Sequence, residues 1–171
     1  MGRRNYLIEG VSGSGKTAVC HELRRRGVQA INGDRELAYQ GDPSTGEERN
    51  DIVGLAVHDH HLWRTEEVAA IAADRSQPAT FFCGGSRNVA TFVHLFDEVF
   101  VLVVGAAELN RRLDARPPDE WGGRGRVDER ALIQRLHATG AGLPTNATLI
   151  DAEAPLSEVV DVILRRASLA L

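Results

Sequence analysis

Short apolar runs alternate with helix-period stretches along the chain, and glycine, proline or small polar residues bound each run. Tyr6-Leu-Ile-Glu-Gly10 reads as a first strand closing on glycine, and Lys16 to Arg26 as a helix stopped by Gly27. Val28 to Ile31 reads as a second strand, Ala79 to Cys83 as a third, Val99 to Val104 as a fourth and Thr148 to Ile150 as a fifth. The fourth has no polar position, as befits a strand covered on both faces. Helices are expected over Glu66 to Arg75 with Thr65 as cap, over Ala107 to Arg116, over Asp128 to Ala138, and from Pro155 to about Arg166. Ile52 to Trp63 also reads as helical, and the Gly-, Asp- and Ser-rich stretch from Gln40 to Asn50 as a mobile loop. This alternation predicts an α/β chain in three layers, with a five-stranded parallel sheet flanked by helices. No linker or repeat divides residues 1–171, so a single domain is expected. In such sheets ligands gather beyond the carboxyl ends of strands, and segments 10–17, 32–35, 83–88 and 151–155 all follow one.

Composition changes that picture mainly by exclusion. A 43% hydrophobic content is enough for a packed core and excludes disorder as the default. The net charge of −4 argues against a general nucleic-acid binder. The apolar run Val99 to Val104 is far too short to span a bilayer, and nothing resembles a signal peptide, so no membrane association and a cytoplasmic location are expected. Cys20 and Cys83 lack metal-ligand spacing and read as reduced, packed thiols. Of the 20 Lys and Arg residues, 19 are Arg. The one lysine, Lys16, falls where a compact ammonium suits the chemistry better than a planar guanidinium.

That place is Gly10-Val11-Ser12-Gly13-Ser14-Gly15-Lys16-Thr17, which satisfies G-x-x-x-x-G-K-[ST] between a strand and a helix. The glycines allow a tight wrap with inward-pointing amides, and the following helix turns its positive end to the anion. Lys16 is expected on the β- and γ-phosphates of ATP or GTP, and the Thr17 hydroxyl on Mg2+. Residues 10–17 are thus the expected nucleotide site of a P-loop NTPase fold.

The rest of the chain resembles the small-molecule kinase branch of that superfamily: nucleoside monophosphate kinases, shikimate kinase and gluconate kinase. Gly33-Asp34 resembles the Gly-Asp after the second strand of adenylate and gluconate kinases, which implies Asp34 as acceptor-binding group and base. Cys83-Gly84-Gly85-Ser86-Arg87 looks like a blend of the nucleoside monophosphate kinase segment and the glycine run of shikimate kinase. It implies acceptor contacts at Gly84, Gly85 and Arg87, the last forking onto an anionic group. No acidic residue ends this strand, so the usual second acidic magnesium motif is missing there, leaving Asp34 and waters to serve. Leu109 to Arg116 resembles the Arg-x-x-x-Arg helix that enters the lid of these kinases. Arg112 and Arg116, four apart on one helix face, would neutralise charge at the transferring group, with Pro117 to Arg126 as the mobile lid and Arg124 and Arg126 beside it. Asp151-Ala-Glu-Ala-Pro155 resembles the loop that packs on adenine, and the lack of Asn-Lys-x-Asp points away from guanine. His58, Asp59, His60 and His61 read as acceptor contacts or a polar face rather than a metal site.

The resemblance implies an ATP-dependent kinase with Mg2+ and a small-molecule acceptor: a nucleoside or nucleotide, a hydroxy or sugar acid, or an antibiotic hydroxyl. A regulatory nucleotide-binding ATPase and a polynucleotide-end kinase are the rival readings. The sequence leaves the oligomeric state open.

Overall fold

The computed structural model describes residues 4–169. Its main sheet has five parallel strands: β1 (Arg4–Glu9), β2 (Gln29–Asn32), β5 (Ala79–Cys83), β6 (Glu98–Val103) and β7 (Thr148–Asp151), in the order β2-β5-β1-β6-β7. β1 is central, aligning Ile8 with Cys83 on one side and Glu9 with Val101 on the other. The strands are short because each carries only enough apolar residues to cross one core.

Alternation along the strands builds two cores. Tyr6, Ile8, Phe81 and Phe100 face α1 (Lys16–Arg25), α5 (Ala106–Asp114), α6 (Val127–Thr139) and α7 (Leu156–Arg166), meeting Leu23, Leu109, Ile133 and Val160. Leu7, Phe82 and Val99 face the other way, onto Val68 of α4 (Thr65–Ala73), Phe92 and Trp63. Tyr6 stacks on Phe81 with ring centroids 4.8 Å apart, and its hydroxyl donates to the carbonyl of Ala167 at 3.0 Å. The sheet thus lies between two helical layers, as the strand–helix alternation predicts.

The insertion between α2 (Gly33–Glu36) and α4 differs from its sequence pattern. Residues 52–63 are not one helix. Only α3 (Ala56–Asp59) is helical, and β4 (His61–Trp63) pairs antiparallel with β3 (Ala38–Gln40). Burial of Leu62 and Trp63 draws this segment into an extended edge, and Asn88 clamps it there. The Trp63 amide donates to Asn88 Oδ1 at 3.0 Å, and Asn88 Nδ2 donates to the Trp63 carbonyl at 2.9 Å. Residues 41–49 close on themselves through Asp42 N–H to Glu47 O at 2.8 Å and Gly46 N–H to Asp42 O at 2.7 Å. Gln40, assigned to the loop by its composition, ends β3.

Two helix ends also differ. Thr65 is the first residue of α4 rather than its cap, and its Oγ1 meets Thr91 Oγ1 at 3.3 Å. α5 stops at Asp114, so Arg116 lies beyond the helix that Arg112 occupies. A turn places it there, with Arg116 N–H donating to Leu113 O at 3.2 Å before Pro117, which has no N–H to continue a helix. Among the described residues, no helix is long and apolar enough to cross a membrane.

Candidate active site

The loop between β1 and α1 wraps as its glycines allow. Gly13 and Gly15 have φ of +95° and +107°, left-handed values that favour glycine. No side chain caps α1 and no acidic residue occupies its first turn, so its N-terminal amides face the cavity uncompensated. Lys16 arches back over the loop, its ammonium donating to the carbonyls of Gly10 and Val11. Burial lowers its pKa, opposed by the nearby carboxylates of Asp34 and Glu9.

Beyond the loop lies a cavity of about 740 Å³, which Gly10, Val11, Ser12, Lys16 and Thr17 line on one side. Asp34, Gly85 and Arg87 also line it, together with Val57, His58 and His61 of the insertion. Arg116, Trp121, Ile133 and Leu143 complete the lining. The sheet order explains the convergence, because β2 and β5 lie beside β1 and their ends open onto the same edge.

Asp34 is fixed by three donors to one oxygen. His61 Nε2–H, Trp63 Nε1–H and the Gly85 amide reach Oδ1 at 3.1, 3.3 and 3.1 Å, and no described residue engages Oδ2. Burial alone would raise this carboxyl's pKa, but the His61 hydrogen bond and the Lys16 charge outweigh it and hold the pKa below its ordinary value. The packing depends on glycine at Gly84, where φ is +145° and an added Cβ would sit 2.6 Å from Asp34 Oδ1. Arg87 is half-buried beside Gly142, and its guanidinium has no hydrogen bond or ion pair among the described residues.

Arg112 and Arg116 have separate surroundings. Arg116 enters the cavity, donating to Ser12 Oγ at 3.0 Å and to Trp121 O at 2.7 Å; its pKa is lowered by burial. Arg112 stays behind the loop, because three acceptors hold its guanidinium: Glu108 at 2.7 Å, the Ser14 carbonyl at 2.9 Å and the Ala152 carbonyl at 2.6 Å. It ties the phosphate loop to segment 151–155 rather than lining the cavity. Within 117–126, Gly122 N–H donates to Glu129 Oε2 at 2.8 Å, and Arg126 pairs with Glu129 Oε1 at 2.9 Å; Arg124 is exposed.

The histidines separate as well. His58 Nδ1 meets Asp59 Oδ1 at 3.0 Å, and His60 Nδ1 meets the Gly41 carbonyl at 2.9 Å. Only His61 touches a site carboxylate.

Glu9 escapes the sequence reading. The last residue of β1, it is 1% exposed yet forms part of the cavity wall. Oε2 accepts a hydrogen bond from Gly10 N–H at 3.3 Å, while Oε1 has no partner. Burial raises its pKa from 4.5 to about 7, against the opposing pull of Lys16 and Arg87. A charged residue ending an otherwise apolar buried strand was the available signal.

Together the β1–α1 loop and the strand order define a P-loop fold. Solved structures of three small-molecule kinases share it across nearly the whole chain. A shikimate kinase from Bacteroides thetaiotaomicron is 15% identical with a TM-score of 0.64, covering 97% of this chain and 99% of its own. A sugar kinase from Janibacter sp. HTCC2649 is 18% identical with a TM-score of 0.59, covering 99% and 96%. A deoxyadenosine kinase from M. mycoides with bound dATP is 14% identical with a TM-score of 0.58, covering 96% and 99%. The chain therefore has the fold of the P-loop small-molecule kinases. No protein-family model and no curated protein matches it in sequence.

Proposed function

We propose that the protein is an ATP-dependent phosphotransferase that moves the γ-phosphoryl group to a hydroxyl of a small anionic acceptor, a hydroxy acid, sugar acid or nucleotide. One juxtaposition carries this reading. An uncapped glycine loop with its lysine shares one cavity with an anchored carboxylate and an arginine that is unpaired among the described residues.

The loop amides and Lys16 bind the β- and γ-phosphates and stabilise the charge that spreads over them during transfer. The acceptor oxygen attacks phosphorus in line, the bond from the γ-phosphorus to the β,γ-bridging oxygen breaks, and the acceptor proton passes to Asp34. Three donors on Oδ1 fix that carboxylate and leave Oδ2 to receive the hydroxyl. Arg87 pairs with the acceptor's anionic group, and Arg116 reaches the phosphates from the lid side. Arg112 holds the phosphate loop at a set distance from 151–155, against which the base rests.

The Thr17 hydroxyl and the Glu9 carboxylate belong to residues lining the same cavity, an all-oxygen set that suits magnesium. Magnesium, when bound by Thr17, would neutralise phosphate charge. The test is calorimetry with a non-hydrolysable ATP analogue and magnesium, followed by turnover with hydroxy acids, sugar acids and nucleosides, each with and without an anionic group. Transfer confined to anionic acceptors is expected. ATP hydrolysis at full rate without any acceptor would identify a regulatory ATPase instead.

A further inference from the structure

The end of β5 offers no acid, because Cys83-Gly84-Gly85-Ser86-Arg87 contains none. The neighbouring strand supplies one. Ile8 of β1 pairs with Cys83, and Gly84 N–H donates to the Ile8 carbonyl at 3.0 Å, so the next side chain of β1 arrives beside Gly85. A Cβ built on Gly85 would sit 3.0 Å from Glu9 Oε2 and 3.3 Å from Oε1. The carboxylate of Glu9 thus occupies the space a side chain at residue 85 would take.

Its surroundings are those of an anion awaiting a cation. The side chain is 1% exposed, yet Oε1 has no donor within the fold. Leaving a buried carboxylate oxygen unpaired is costly, and folded proteins rarely tolerate it without a ligand or role. The Lys16 ammonium is directed to the loop carbonyls of Gly10 and Val11 and makes no hydrogen bond to Glu9. Arg87 lies near enough to attract Glu9 but makes no ion pair with it. Both Glu9 and Thr17 line the one cavity.

We infer that Glu9 is the second acidic group of the magnesium site, holding a water of the metal's shell through its carboxylate, with Gly85 as the vacancy that admits it. The inference rests on the phosphotransferase reading, because the metal arrives with the nucleotide. Magnesium keeps several waters and binds few protein carboxylates, so a contact through water suits this ion. Glu9 is a positioning residue and need not touch the acceptor.

The test reads metal binding rather than turnover. The affinity of a non-hydrolysable ATP analogue is measured by calorimetry across magnesium concentrations, and Mn2+ binding to the analogue complex by water-proton relaxation. In Glu9→Gln, the magnesium concentration giving half-maximal tightening should rise on the order of tenfold, as it does when an outer-sphere partner is lost. Metal-free affinity should not weaken, since a negative charge leaves the phosphate site. Glu9→Asp keeps the charge but withdraws the carboxylate by one carbon, and should show the same sign with a smaller shift. Thermal unfolding verifies that each variant is folded.

Unchanged magnesium dependence in a folded Glu9→Gln that still binds the analogue would overturn the role of Glu9 and leave the phosphotransferase reading standing. Failure of the wild-type protein to bind the analogue under any metal condition would overturn both.

Discussion

At the residue scale the site rests on a few charges whose surroundings set their behaviour. Lys16→Ala should abolish turnover, by a factor on the order of 10²–10³ or more, while circular dichroism shows the fold retained. Asp34→Asn should keep nucleotide binding and sharply reduce transfer. His61 is one of the groups holding the Asp34 pKa down. His61→Ala should therefore raise it and move the acidic limb of the kcat profile to higher pH, the opposite of a merely structural loss. Glu9 makes a stability prediction whose sign follows from the direction of its shift. Its pKa rises from 4.5 to about 7 on folding, so its contribution is fully present below pH 4.5 and is lost as pH rises through 7. Glu9→Gln should then be more stable than wild type at pH 8.5 by up to about 3 kcal/mol, and equal to it near pH 4, by chemical denaturation of the nucleotide-free protein. The sequence reveals Lys16 and Asp34 because each stands in a motif. Glu9 stands in none, and its meaning comes from the space left by a glycine just beyond the end of another strand.

The elements position these residues with little tolerance. The Trp63 ring lies against Gly33 and Gly84, where any added Cβ would strike it. Gly84→Ala should cost about 1–3 kcal/mol in strain and displace Asp34, read as a lower Tm together with a fall in kcat. Arg112 spans two carbonyls with a planar fork, so Arg112→Lys should not rescue Arg112→Ala; both should raise KM for ATP by roughly tenfold. Strands β5 and β6 are legible in the sequence because burial on both faces writes a nearly continuous apolar run, and the shorter β2 and β7 because they alternate with helix-period segments. The β3–β4 pair is not, because three-residue strands carry no period. One of them, β4, is held by Asn88, a residue 25 positions along the chain from Trp63. Likewise the period of α5 places Arg112 and Arg116 together, but the end of the helix and the Ala152 carbonyl send them to different tasks.

At the scale of the whole molecule, the central strand carries the phosphate loop, one flank brings the insertion, and α5, α6 and the segment between them bring the rest of the cavity lining. The chain's two tryptophans fall on different parts of this frame. Trp63 is fully enclosed with its indole N–H on the candidate base, whereas Trp121 is half-buried in the cavity wall, its carbonyl held by Arg116. Their light emission is thereby divided between two events. With Trp121→Phe, the remaining indole should respond by a spectral shift when the hydroxyl compound docks; with Trp63→Phe, the remaining one should follow nucleotide capture. Stopped-flow fluorescence on the two variants would time the arrival of each reactant separately, with no label attached.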